Sequence, residues 1–351
     1  MAIKEVAIAG AGIIGLSTAL ELALAGAHVT VFERGLAMGE ASWAAAGMLA
    51  PADPGNPPEL RALSAFSFGL YPEFLATIER LSGKQVPILA TKTLEGSPSL
   101  PPNANLLSAE TINALAPSLR VKDLKFYLLE EICFDPRSLG AALVESIKAA
   151  GVVLKENTTV HSVQSGADGV QLQTTAGTFR ADEFINACGA WATEISGVPI
   201  APRKGQLLLV RHPRLYADQH LTAVVRIPRL YLIPRPNHSV LIGSTIEDAG
   251  FNKSVDAATI ESLRQRAADL WPPVADAQII DSWAGLRPAS PDSLPVIGAK
   301  EPHHWLALGH FRNGILLAPG TARLIRQLVM NQPVALDLHH FAPARLRTGR
   351  S

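Results

Sequence analysis

The chain has 351 residues with 31 basic and 31 acidic side chains, so its formal net charge is zero. A neutral chain carries no field that would steer it to nucleic acid or to an anionic membrane surface, which leaves a small neutral or zwitterionic molecule as the expected partner. With 48% hydrophobic and 18% charged residues, it reads as one large two-part globular unit or two domains.

Residues 3–9 saturate with Val, Ile and Ala, the pattern of a buried parallel strand. Gly10-Ala11-Gly12-Ile13-Ile14-Gly15 follows at once. A helix with apolar residues at Ile13, Leu16, Leu20 and Leu24 comes next and stops at Gly26. A second strand over residues 29–32 then ends in Glu33. This is the strand–turn–helix–strand–acid unit of a dinucleotide site. Gly10 allows the tight turn, Gly12 lets the backbone approach a pyrophosphate, and Gly15 lets helix and strand pack closely. Glu33 would accept the ribose hydroxyls of an adenosine. The unit does not choose between NAD and FAD.

Residues 40–49 (Glu40-Ala41-Ser42-Trp43-Ala44-Ala45-Ala46-Gly47-Met48-Leu49) are small and almost uncharged. They suit a backbone laid against a large planar ligand and, equally, an alanine-rich helical turn in the core. Residues 51–58 form a Pro/Gly-rich loop, 60–81 have helical periodicity, 86–94 are strand-like and 96–105 make a connector. Asp135-Pro136 reads as an N-cap and first helical position of a helix to residue 149. Short strands are expected over 152–154, 160–163, 170–174 and 183–186. A further group over 206–210, 231–234 and 240–244 has the hairpin spacing of a mixed or antiparallel sheet. Residues 260–270 are helical, ended by Trp271-Pro272-Pro273. The arginine-rich tail, 342–351, shows no packing pattern and is expected to be flexible.

The apolar run at the N-terminus meets glycines too early for a signal-peptide core, and no apolar stretch is long enough to span a bilayer. Cys133 and Cys188 have no CxxC or Cys/His spacing, which argues against a disulfide framework and for a reducing cytoplasm. The histidines, among them His310, show no HxxxH or HExxH spacing, so no metal is expected; nor is there a GxSxG elbow.

Three features carry candidate chemistry. Arg287, in Trp283-Ala284-Gly285-Leu286-Arg287-Pro288 between a strand and a proline-fixed turn, would fork onto a carboxylate, or serve an ordinary surface ion pair. Tyr231 alternates with apolar neighbours and suits a pocket hydroxyl or a core tyrosine. The segment Gly309-His310-Phe311-Arg312-Asn313-Gly314-Ile315-Leu316-Leu317-Ala318-Pro319 combines a fixed charge with amides before a helix placed after Pro319. It would hold something negative, or be a plain loop-to-helix junction.

Together the fingerprint with Glu33, the Ser42 to Leu49 run, the Trp283 to Pro288 turn and the Gly309 to Pro319 segment resemble the glycine oxidase family. That family lies within the D-amino-acid oxidase and sarcosine oxidase group of flavoproteins, and the resemblance spans nearly the whole chain. It implies an α/β, Rossmann-like FAD-binding domain over 1–85, 135–203 and 284–335. An α+β substrate domain with a large antiparallel sheet would occupy 86–134 and 204–283. FAD would contact Gly10, Gly12, Ile13, Ile14, Gly15, Glu33, Arg34, Ala41, Ser42, Ala46, Gly47, Met48 and Val160. It would also contact His310, Phe311, Arg312, Asn313, Gly314, Ile315 and Leu316.

In the same resemblance Arg287 holds the substrate carboxylate, Tyr231 assists and Arg312 is a second arginine at the substrate, with Met48, Arg229 and Ile246 lining the pocket. Arg229 replaces a histidine and Ile246 a methionine of the family's characterised member. The implied reaction oxidises glycine, sarcosine or small D-amino acids at the expense of O2, giving an imine, then the 2-oxo acid, ammonia or amine, and peroxide. The product would feed thiamine thiazole synthesis. The implied enzyme is a cytoplasmic homo-oligomer, a tetramer, with FAD held without a covalent bond because the C-terminal third has no cysteine. The alternative is an FAD-dependent D-amino-acid or hydroxy-acid dehydrogenase that reduces a quinone or another acceptor; a non-enzymatic flavin-binding module is a third possibility.

Overall fold

The computed structural model describes residues 3–212 and 220–346. The strand Glu5–Ala9 is the centre of a six-stranded sheet in the order Val296–Glu301, His304–Leu308, Glu183–Asn186, Glu5–Ala9, His28–Phe32, Val153–Lys155. All neighbours run parallel except the edge strand Val296–Glu301. Strict alternation along Glu5–Ala9 explains why both faces are covered. Val6 and Ile8 face a core shared with helices Ile13–Leu24, Arg61–Ser82, Pro136–Ala149 and Gly314–Val329. Ala7 and Ala9 face a small antiparallel sheet of Val160–Gly166, Gly169–Thr174 and Gly177–Ala181.

A second, seven-stranded sheet runs in the order Gln278–Ala289, Ala201–Arg211, Ser239–Gly243, Leu230–Arg235, Val224–Ile227, Thr93–Ser97, Lys125–Leu129. It is antiparallel apart from the pairing of Val224–Ile227 with Thr93–Ser97. Leu208, Leu232 and Ile242 pack on one face with helix Ala257–Leu270, while Leu207, Ile233, Leu241 and Trp283 face the other way, onto Ala44 and Cys133. That second face roofs the space above the dinucleotide turn. The strands of the two large sheets interleave along the chain, so neither sheet is closed by a contiguous stretch of sequence.

Three expectations are corrected, and for the 40–49 run one of the two open readings falls away. Residues 86–94 do not make one strand: Ile88–Ala90 joins a small sheet with Ile132–Phe134 and Met48–Leu49, and Thr93–Ser97 joins the roof. The 40–49 run is not helical; it is a series of turns leading into Met48–Leu49. Residues 283–288 are not a strand followed by a turn but the interior of the long strand Gln278–Ala289, with Pro288 paired against Pro202. At the tail, Pro343–Leu346 is a 3-10 turn tied down by Arg345, which donates to Asp292 at 2.7 Å and to the Leu294 carbonyl at 2.8 Å. Residues 347–351 lie outside the described residues.

Candidate active site

Strand Glu5–Ala9 ends where Gly10 takes a φ of +101°, and a Cβ there would sit 2.4 Å from the Ala187 carbonyl oxygen. Only glycine fits that turn. A Cβ on Gly15 would fall 1.9 Å from the Gly10 oxygen, so helix and strand touch through hydrogens alone. The N-terminus of helix Ile13–Leu24 thus opens next to the turn, with its dipole's positive end toward the space beyond. Two side chains fix this end. Glu33 accepts from the Ala11 N–H at 2.8 Å and from the Gly35 N–H at 3.0 Å, and Ser42 accepts from the Ile13 N–H at 2.9 Å.

The space beyond is one cavity of roughly 1730 Å³, including its open mouth. Gly10, Gly12, Ile13, Ile14, Glu33, Arg34, Ala41, Ser42 and Val160 line one end, and Tyr231 and Arg287 line the other. Ala46, Met48 and the run His310 to Ile315 complete the wall.

The substrate-side residues lie flat against the roof because glycines face them. Arg287 projects from Gln278–Ala289 across the neighbouring strand, where a Cβ on Gly205 would meet its two terminal nitrogens at 2.2 and 2.4 Å. Tyr231 pairs with Gly243, whose Cβ would fall 2.2 Å from the phenol ring. Arg287 donates to the Ser244 hydroxyl at 2.7 Å and to the Thr245 carbonyl at 3.1 Å. Burial pulls its pKa below the usual value, and it raises that of Tyr231 against the pull of Arg287 and Ser244. The half-buried guanidinium is held on one side by neutral oxygens and faces the cavity on the other, so it is set to take a carboxylate there.

Arg312 stands in the 3-10 turn Phe311–Asn313, immediately before helix Gly314–Val329. That helix starts before Pro319, not after it as the sequence suggested, so the amides nearest the cavity belong to Gly314 and Ile315. Pro319 inside a helix leaves the carbonyl four residues earlier without its N–H partner. The buried Tyr71 hydroxyl donates to that carbonyl, on Ile315. Ser67 is inserted into the next rung, donating to the Leu316 carbonyl at 2.7 Å and accepting from the Gly320 N–H at 2.9 Å. Helix Arg61–Ser82 thereby completes the ladder that the proline interrupts. His310 is fully enclosed, its Nε2 3.0 Å from the Thr321 hydroxyl, and burial lowers its pKa to about 3.

Several expected contacts fall elsewhere. Arg229 is exposed at the hairpin turn between Val224–Ile227 and Leu230–Arg235, with φ +63°, and does not line the cavity. Being two residues from Tyr231 puts it on the same face only within a strand, and the turn breaks that alternation. Ile246 is 58% exposed and also outside the cavity wall. Gly15, Gly47 and Leu316 are not among the residues lining the cavity. Gly47 has a φ of +87°, and a Cβ on it would meet the Phe134 carbonyl at 1.9 Å.

Sequence reasoning missed Gly205, Gly243 and Asp53. Cross-strand register, which a single sequence does not display, is the signal for the two glycines. Asp53 lines the cavity and pairs with Arg312 at 2.9 Å. Among the described residues no cluster of His, Cys, Asp or Glu is suited to a metal ion, and no helix is long and apolar enough to cross a membrane.

Oxidoreductases that seat a dinucleotide beneath the roof of a second sheet form a recognised class. This chain belongs to it: the family described as FAD dependent oxidoreductase matches residues 5–328. Within the class it is 33% identical to the glycine oxidase of Pseudomonas aeruginosa, over 97% of this chain and 99% of that one. It is 36% identical to the bifunctional protein ThiO/ThiG of a Nostoc species over 97% of its own length, but spans only 55% of that relative. The crystal structure of glycine oxidase from Geobacillus kaustophilus superposes with a TM-score of 0.90 at 30% identity, covering 99% of this chain and 100% of that one.

Proposed function

We propose that the protein is an FAD-dependent oxidase of glycine and related small amines such as sarcosine and small D-amino acids, and that Arg287, Tyr231 and Arg312 form its substrate site. The observation that carries this reading is Arg287, half-buried in the roof, anchored by Ser244 and Thr245, and opening into the same cavity as the dinucleotide turn. The curated relatives named glycine oxidase support the substrate class. We further propose the FAD-binding domain as residues 1–85, 135–203 and 284–335, with the substrate domain as 86–134 and 204–283.

The chain's residues fit the cofactor. The Gly10 to Gly15 turn and helix N-terminus would hold the pyrophosphate, Glu33 the ribose, and the amides of Gly314 and Ile315 the electron-rich edge of the flavin ring. FAD, when bound, supplies the two-electron acceptor and passes the electrons on to dioxygen. Arg287 fixes the substrate carboxylate by a two-pronged bond, and Tyr231 adds a hydroxyl beside it. Orientation of the Cα–H is the main task, since holding reactants in register supplies much of the barrier reduction.

His310 stays neutral over the working range and is engaged with Thr321, so it is not set to take the amine's proton. The imine formed would be hydrolysed to the 2-oxo acid, or delivered to thiazole synthesis. FAD should be held without a covalent bond. Cys188, the cysteine in the cavity wall, has its pKa pushed up to about 12 by burial and remains an unreactive thiol.

Arg287→Ala tests the assignment directly. Glycine kcat/KM is expected to fall on the order of a thousandfold, the worth of two charge-assisted hydrogen bonds, while the flavin absorbance per chain stays unchanged. Retained turnover would sink the reading. Peroxide formed with oxygen as sole acceptor supports an oxidase; dye reduction without peroxide supports the dehydrogenase.

A further inference from the structure

The charged residues that line the cavity fall into two groups. Glu33, Arg34, Glu40 and Glu194 belong to the dinucleotide end, where Arg34 pairs with Glu40 at 3.1 Å and lies 3.4 Å over the Trp191 ring. The substrate end carries Arg287, Arg312 and Asp53. Asp53 is held firmly: one carboxylate oxygen accepts from the Gly55 N–H at 2.8 Å and the other from Arg312 at 2.9 Å. Its side chain is only 12% exposed against 37% for Arg312. The same loop is tied to the Arg312 turn a second time, by Asn313 donating to the Asn56 side-chain oxygen at 2.9 Å.

Among the described residues no cation but Arg312 is paired with Asp53. The nearby Arg226 is consumed by Glu95 at 2.5 Å and Glu131 at 3.0 Å. Arg312 is therefore the partner of Asp53. Among the described residues lining the cavity, the substrate end counts two positive charges and one negative, a balance of one positive charge, which matches a single carboxylate on an otherwise neutral amine.

We propose that Asp53 is a specificity residue: by occupying Arg312 it leaves Arg287 as the carboxylate clamp and excludes amines that carry a second carboxylate. Such a substrate would bring one charge too many, face the Asp53 carboxylate, and find the second guanidinium already paired. This inference rests on the substrate site proposed above.

Sarcosine and iminodiacetate isolate the effect, because they differ only in replacing an N-methyl hydrogen with a carboxylate. In the holoenzyme the ratio of kcat/KM for iminodiacetate to that for sarcosine is expected to rise roughly ten- to a hundredfold in Asp53→Asn, the worth of one bond to a charged group. Asp53→Glu should keep the low ratio. Binding of unreactive acids, followed through the flavin spectrum, gives a second readout. The wild-type protein should prefer acetate to malonate, and Asp53→Asn should reverse or erase that preference. An unchanged ratio in Asp53→Asn, or a wild-type protein that prefers malonate, overturns the proposal. Failure of the underlying assignment looks different: neither glycine nor sarcosine would bleach the wild-type flavin under anaerobic conditions.

Discussion

The two ends of the cavity are built on different plans. At the dinucleotide end, the shape is made by backbone between Ala9 and Ser42: a tight turn, a helix terminus and the carboxylate of Glu33, all close in sequence. At the substrate end, side chains do the shaping. Arg287 and Tyr231 lie across strands drawn from residues 201–289, and they fit only because the residues opposite them are glycines. Backbone recognition of a pyrophosphate is blind to substrate, whereas a side chain on a sheet can be exchanged without disturbing the cofactor. The contrast suits a family that keeps one cofactor while varying what it oxidises.

Alanine at one glycine of each end should break the two plans differently. Gly15→Ala is expected to have the largest effect, since its Cβ would collide with backbone at 1.9 Å and neither partner can move alone. The measured outcome should be a protein that is purified without flavin and melts well below the wild type. Gly205→Ala should instead keep flavin and fold, because the clash is with the end of the Arg287 side chain. Displacing that guanidinium is expected to lower glycine kcat/KM about a hundredfold, on the order of one or two charge-assisted bonds. If Gly205→Ala lost flavin as readily as Gly15→Ala, the separation of the two plans would be wrong.

The smallest effect concerns the buried cluster beside the substrate end. Arg226 serves two carboxylates there, and burial pushes Glu95 up to about 7 against the pull of Arg226. Above the usual carboxylate range the unfolded chain has released this proton while the folded one still holds it. Stability should therefore fall as pH rises from about 4.5 to about 7. Glu95→Gln should flatten that slope, by on the order of 2 kcal/mol between pH 5 and 8 in denaturant titrations. An unaltered slope would show that the proton resides on another group.

The same contrast explains what could be read from the chain. The fingerprint and Glu33 are legible because local spacing determines them, as is helix Pro136–Ala149, whose Asp135 cap accepts from the Arg137 N–H at 3.0 Å. Arg287, Tyr231 and Arg312 were recognised by resemblance, and the structure brings all three to one cavity. Gly205 and Asp53 were not found, since their meaning lies in register and in a partner far along the chain. Arg229, placed in the pocket by resemblance, sits instead in the hairpin turn just before the strand of Tyr231, where strand alternation does not apply. The start of the last helix was misjudged because Pro319 reads locally as a first helical residue, and only Tyr71 and Ser67, from a helix about 250 residues earlier, make it tolerable.

That repair of the helix has a consequence for the life of the chain. Ribosomes deliver the dinucleotide turn before the wall formed by His310 to Ile315, which is stitched to residues made long before it. The nascent protein must hold helix Arg61–Ser82 in waiting with Ser67 and Tyr71 unmatched. Closure of the cofactor chamber thus waits on Gly314, and a chain truncated before it would keep its nucleotide fingerprint yet have no finished place to put a flavin.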